Sequence, residues 1–167
     1  PPPPARRRLA AALTPEGKQV PLVRTLARHD AYYERGAKTW EFQALLKART
    51  VAGDRELGRA YEEAIAPFVW SAAGRENFVE DSQAMRRRVE AHVPAAEADR
   101  QLKLGKGGLR DVEFTVQLLQ LVHGRSDDSI RSRSTLTALA ELAAAGNGGR
   151  ARAARLGGGC GILRSRA

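Results

Sequence analysis

The chain has 167 residues, with 28 Lys+Arg against 19 Asp+Glu and a formal net charge of +9. That length suits one average domain of roughly 100–200 residues, or part of a larger protein. A lone cysteine, Cys160, excludes an internal disulfide framework and any cysteine-based zinc site, and no apolar run approaches the ~18 residues of a membrane span. The charge is unevenly placed. Residues 9–145 carry 20 basic and 19 acidic side chains, whereas residues 1–8 and 146–167 hold arginines and no acid. A nucleic-acid partner would therefore be met by the two ends alone, and none is expected. Of the apolar residues, which make up 43% of the chain, 29 are alanine; that suits close-packed helices and is thin for a β-sandwich.

In chain order, Pro1 to Arg8 combines four prolines with three arginines and is expected to be disordered. Residues 9–26 hold the turn signal Pro15-Glu16-Gly17-Lys18 and the short apolar run Val20-Pro21-Leu22-Val23, an edge strand at best because of Pro21. From Ala27 to Arg49 the spacing of Tyr33, Ala37, Trp40, Ala44 and Ala48 predicts one long helix, with Gly36 inside it. Gly53-Asp54 predicts the end of that helix and the cap of the next, which runs through Leu57, Tyr61 and Ile65 to a kink or stop at Pro67. A further helix is predicted over Glu76 to His92, with Phe78, Met85 and Val89 inward and Arg86-Arg87-Arg88 outward. Leu109 to His123 and Leu136 to Ala145 complete five helices, the last capped by Ser134-Thr135. A helical domain over 27–145 is thus expected, followed by a glycine- and arginine-rich loose end over 146–167. The Pro/Arg-rich start has no signal-peptide pattern, the first residue is not Met, and a soluble cytoplasmic fragment is the expectation.

The segment Leu102-Lys103-Leu104-Gly105-Lys106-Gly107-Gly108 is a basic, glycine-rich loop that leads directly into a helix. Glycines let backbone N–H groups approach an anion, and the helix start favours negative charge. Lys103 and Lys106 flank that spot, while Arg110, Glu113, Gln117 and Gln120 form one polar stripe on the helix behind it. That stripe is either a solvent face or the wall of a polar cleft. The loop is no Walker motif, since Gly107 follows Lys106 where Ser or Thr is required. Lys47 and Arg49 sit where cations favour a helix C-terminus. Trp40-Glu41 reads as a core aromatic beside a helix-surface acid. Three scattered histidines show no metal-ligand spacing, and no metal site is expected.

Two blocks together resemble a specific family. Thr39-Trp40-Glu41-Phe42-Gln43-Ala44-Leu45-Leu46-Lys47-Ala48-Arg49 with Val51-Ala52-Gly53-Asp54, and Leu102 to Gly105 with Gly107-Gly108-Leu109-Arg110-Asp111-Val112-Glu113-Phe114 and Gln117, are similar to signatures of the glutamine synthetase adenylyltransferase/adenylyl-removing enzymes. Pro15 to Lys18 and Pro21 to Val23 resemble the end of that family's nucleotidyltransferase core. The resemblance implies a helical-bundle domain behind a DNA-polymerase-β-like core, of which only the last edge is present. It also implies adenylylation of a glutamine synthetase tyrosine from ATP and removal of AMP by phosphorolysis, which releases ADP. Mg2+ held by aspartates, ATP or ADP, glutamine synthetase and a PII-type signal protein are the implied cofactors and partners. The form of residues 107–113 resembles the N-terminal, adenylyl-removing half.

Under this resemblance Lys103, Gly105, Gly107, Gly108, Arg110 and Glu113 are the phosphate-binding candidates, and Glu41, Lys47 and Arg49 are motif residues of unassigned role. The departures are specific. The family's Gly-Ser motif with its aspartate pair is absent, Ala10 stands at the third aspartate's place, and Thr14 replaces an arginine. The fragment is therefore expected to hold no catalytic metal, to bind nucleotide poorly and to be inactive alone. The alternative is a non-catalytic helical module that binds glutamine synthetase or a PII-type protein.

Overall fold

A computed structural model describes residues 8–10, 23–91, 93–94, 101–105 and 107–146. These residues are mainly helical, and the chain divides into two compact units, Pro1–Ala72 and Ala73–Ala167. The boundary between the units falls at Ala72, inside the stretch 27–145 over which a helical domain is expected. The loose end from 147 onward, the Pro15-to-Lys18 turn and Lys106 lie outside the described residues.

In the first unit, strand β1 (Arg8–Ala10) pairs antiparallel with β2 (Val23–Thr25), with Ala10 opposite Val23 and Arg8 opposite Thr25. Arg8 is therefore part of a strand and not of a disordered end. Of the expected edge run, Val23 lies in β2 and pairs with Ala10, while Val20, Pro21 and Leu22 lie outside the described residues.

The long helix predicted from Ala27 to Arg49 is two helices. Helix α1 (Leu26–Arg35) stops at Gly36, and α2 (Thr39–Leu45) starts after Lys38. Gly36 and Ala37 both donate their N–H to the Tyr32 carbonyl, at 2.8 and 3.1 Å. The Glu41 carboxylate then reaches back to the Lys38 N–H at 3.0 Å and caps the first turn of α2. Tyr33 and Ala37 are still buried, so the apolar periodicity survives the break that Gly36 makes. Phe42, Leu45 and Leu46 complete this part of the core.

Helix α3 (Arg55–Ser71) begins as expected, with the Asp54 carboxylate accepting from the Glu56 and Leu57 N–H groups at 2.9 and 3.1 Å. It does not stop at Pro67. Val69 and Ala72, beyond the proline, are buried at 3% and 0% exposure, and that burial offsets the hydrogen bond Pro67 cannot make. The Ser71 hydroxyl adds a bond to the Pro67 carbonyl at 2.7 Å. Gly58 is required where α3 meets the preceding turn, because a Cβ there would overlap the Thr50 side chain.

A 3-10 turn (Ala72–Gly74) follows α3, and the second unit continues with α4 (Phe78–Glu90), which is preceded by Asn77 in the left-handed region at φ 58°. The predicted start at Glu76 is thereby moved to Phe78. Helix α5 spans Leu109–His123, the predicted range. A 3-10 turn (Asp128–Ile130) connects it to α6 (Thr135–Ala144), capped by the Ser134 hydroxyl on the Thr137 N–H. Val116, Ile130, Ala138, Leu139 and Leu142 form the core here, with Leu119 and Ala143 packed against it. Each fully buried branched residue of this kind stabilises the fold by roughly 1.5–3 kcal/mol. Six α-helices, not five, stand among the described residues.

Candidate functional site

The glycine loop closes on itself before α5 begins. Gly105 donates to the Gln101 carbonyl at 2.8 Å, and Gly108 donates to Gly105 at 2.9 Å. Leu109 and Arg110, the first residues of α5, donate to the carbonyls of Leu102 and Lys103 at 2.9 and 3.0 Å. Helix starts normally leave such N–H groups unpaired; here the loop carbonyls satisfy them. Gly107 takes φ +75°, and its N–H donates to the Asp111 carboxylate at 2.7 Å. The same carboxylate oxygen accepts from the Arg86 guanidinium at 2.9 Å. Arg86, expected to face only solvent, thus ties α4 to the loop.

This geometry corrects how the loop would meet an anion. The backbone donors of Gly105, Gly107 and Gly108 are already used within the loop, and an acid, Asp111, faces Gly107. A phosphate at this place would be met by side chains. Lys103 is exposed, and Arg110 is part-buried with its guanidinium 5.8 Å from the centre of the Phe114 ring. Glu113 is part-buried on the same helix.

The rest of the polar stripe is neither a solvent face nor an open cleft. Gln117 and Gln120 are 7% and 2% exposed. The Gln120 amide donates to the carbonyls of Ile130 and Ser132, both at 2.8 Å, and so pins the turn between α5 and α6.

Glu41 likewise departs from the surface position expected of it. It is 2% exposed, and its Oε1 accepts from the Tyr32 hydroxyl at 2.7 Å as well as from Lys38. Arg24 lies over the Tyr32 ring at 5.2 Å. Beside this group, the Tyr33 and Tyr61 hydroxyls share a hydrogen bond of 2.9 Å, and the His29 ring meets Tyr61 edge-on at 5.2 Å. Lys47 and Arg49 follow the end of α2 on exposed backbone.

All three tyrosines of the chain belong to this cluster, and all three titrate above their ordinary value of 10.0. Burial is the largest cause for each; for Tyr32 the bond to the Glu41 carboxylate adds to it, and for Tyr61 the bond to Tyr33 does. The folded state holds these protons where the unfolded chain releases them, so their stabilisation is complete below pH 10 and is lost as pH rises beyond it. An alkaline titration followed by tyrosinate absorbance is expected to show no ionisation near pH 10 and one cooperative step with unfolding above it. A non-cooperative rise near pH 10 would show the hydroxyls to be solvated.

Among the described residues, no group of three or more His, Cys, Asp or Glu side chains is gathered as a metal set. The carboxylates best placed by the fold, Glu41, Asp54 and Asp111, each serve backbone N–H groups. These residues do not fit a catalytic Mg2+. No described helix is long and apolar enough to cross a membrane.

A family model described as Glutamate-ammonia ligase adenylyltransferase matches residues 8–64, and one described as GlnD PII-uridylyltransferase matches residues 83–165. The division between the two compact units falls between those matches. The chain is 67% identical over 146 residues to the bifunctional glutamine synthetase adenylyltransferase/adenylyl-removing enzyme of Streptomyces avermitilis, covering 87% of this chain and 15% of that protein. It is 66% identical, with the same coverage, to the enzyme of that name from Streptomyces coelicolor, and 64% identical to that from Mycolicibacterium smegmatis, again over 87% and 15%. The chain belongs to this family of adenylyltransferases. It spans about 15% of the length of these relatives.

Sequence reasoning found the loop, the α5 boundaries and the Asp54 cap. It missed Asp111 and Arg86 as the loop's fastening, although an acid in the first turn after a Gly-Gly pair is a legible capping signal.

Proposed function

We propose that this chain is the segment of a glutamine synthetase adenylylation enzyme that joins the end of a nucleotidyltransferase core to its helical domain. The observation that carries this reading is the 67% identity over 87% of the chain. In the whole enzyme, AMP passes from ATP to a tyrosine of glutamine synthetase and is removed by phosphorolysis with release of ADP. The form of residues 107–113 favours the adenylyl-removing half. A PII-type signal protein would set the balance between the two reactions.

Within that enzyme the segment's own role is to position. The β1–β2 pair is read as the core's last edge, with Ala10 where a metal-binding aspartate would stand. Magnesium would supply charge neutralisation at the transferring phosphate from a site built outside this segment. Lys103 and Arg110 would offer positive charge beside the phosphates from a loop that does not need to reorganise, the condition under which such charges stabilise a transition state most. Glu41, bonded to Tyr32 of α1 and to the Lys38 N–H before α2, would fix the approach of the two helices.

Given adenylylated glutamine synthetase, inorganic phosphate and Mg2+, the 167-residue chain alone is expected to release no ADP. ADP release that depends on the chain would show it to hold a complete catalytic site and would overturn this reading.

A further inference from the structure

The turn between α2 and α3 borders an open concavity of about 770 Å³. Its floor is pinned at both ends. The Thr50 N–H and hydroxyl both donate to the Glu62 carboxylate, at 2.8 and 2.9 Å, and Asp54 caps α3. The absence of a side chain at Gly58 lets Thr50 lie directly against the helix. Val51, Ala52 and Gly53 cross the rim, with Val51 85% exposed and Gly53 at φ +92°. Arg55 and Arg59 line the wall one helical turn apart.

The lining of this hollow carries two cations, Arg55 and Arg59, and one carboxylate, Glu62. Among the described residues, neither Arg55 nor Arg59 makes an ion pair. Glu63, within helical reach of Arg59, is not joined to it; the Glu62 carboxylate, which also lines the hollow, accepts from Thr50 and keeps its charge. Like charges four residues apart repel, and both arginines, exposed on α3, line the same hollow. The Val51, Ala52 and Gly53 N–H groups also have no partner among the described residues. The helix end itself contributes little, since Asp54 already takes the Glu56 and Leu57 N–H groups.

We propose that this concavity is an anion site that takes a phosphate group between Arg55 and Arg59, with the rim amides completing its shell. Guanidinium forks match phosphate oxygens in geometry as well as charge. The size of the hollow falls within the range of small-molecule sites, so the group is either free phosphate or the phosphate of a nucleotide. The site is separate from the glycine loop and does not depend on the function proposed above.

The test is a titration of the isotopically labelled 167-residue chain with inorganic phosphate at constant ionic strength, read by nuclear magnetic resonance. Saturable shifts are expected at the Arg55 and Arg59 side-chain N–H groups and the Val51–Gly53 amides, with a Kd on the order of 1 mM. ADP in a parallel titration identifies the source: tighter binding at the same signals indicates a nucleotide, and weaker binding indicates free phosphate. The Arg55→Gln, Arg59→Gln double variant is expected to weaken binding about tenfold or more. Arg59→Gln alone should weaken it less, while Arg35→Gln on α1 leaves it unchanged. An unaltered spectrum elsewhere reports that each variant is folded. The proposal is overturned if neither phosphate nor ADP produces saturable shifts. It is also overturned if chloride reproduces them, or if folded variants lacking Arg55 and Arg59 bind equally well.

Discussion

Gly108→Ala is expected to destabilise the second unit by on the order of 3 kcal/mol. A Cβ at this position would stand 2.6 Å from the Leu102 carbonyl oxygen and 2.8 Å from that of Gly105. Both obstacles are backbone, and neither can turn aside. Those carbonyls accept from Leu109 and Gly108, so moving them breaks the bonds that cover the start of α5. Urea unfolding followed at the helical signal would show the midpoint fall. Gly107→Ala is the internal control. Its φ of +75° imposes strain, but nothing lies within 4 Å of its Cβ position, so about 1 kcal/mol is expected. If the two variants lose equal stability, the close approach of loop to helix is not as described.

The second large effect is at Glu41. Glu41→Ala removes the acceptor of the Tyr32 hydroxyl and the Lys38 N–H at a buried position, at an expected cost of about 3 kcal/mol. Glu41→Gln keeps a carbonyl oxygen able to accept both bonds and should cost less than half as much. The pair of variants separates the hydrogen-bond role from the charge. A surface acid would give less than about 0.5 kcal/mol for either.

How far the sequence could be read depended on the distance between partners. Helix α5 was bounded correctly because its cap, the Gly107-Gly108 pair, and its apolar run adjoin in the chain. Ser134 and Asp54 were legible for the same reason, since a cap lies beside what it caps. The break at Gly36 was hidden by Tyr33 and Ala37, which stay buried at helical spacing on either side of it. Glu41 finds Tyr32 nine residues away, Gln120 finds Ile130 and Ser132 ten and twelve away, and Asp111 finds Arg86 twenty-five away. By local pattern Glu41 reads as a surface acid and Gln120 as part of a solvent face or a polar cleft. Their burial depends on partners that only the packed chain brings within reach.

The glycine loop had the composition of an anion cradle, yet its amides are spent on its own closure and its fastening includes an acid. What remains available is the side chains of Lys103 and Arg110, held on a rigid support. A positioning segment in a larger nucleotidyltransferase is the role those features fit.

The most direct test seats this chain in place of the matching 146 residues of the Streptomyces coelicolor relative. Adenylylation and phosphorolytic deadenylylation of glutamine synthetase are then measured on the chimera. With Ala10→Asp made in the chimera to supply the metal-binding carboxylate that this chain lacks, both activities are expected to persist within about tenfold of the parent, and Lys103→Ala with Arg110→Ala to raise the KM for phosphate or ATP. A folded chimera that has lost both activities would contradict this expectation.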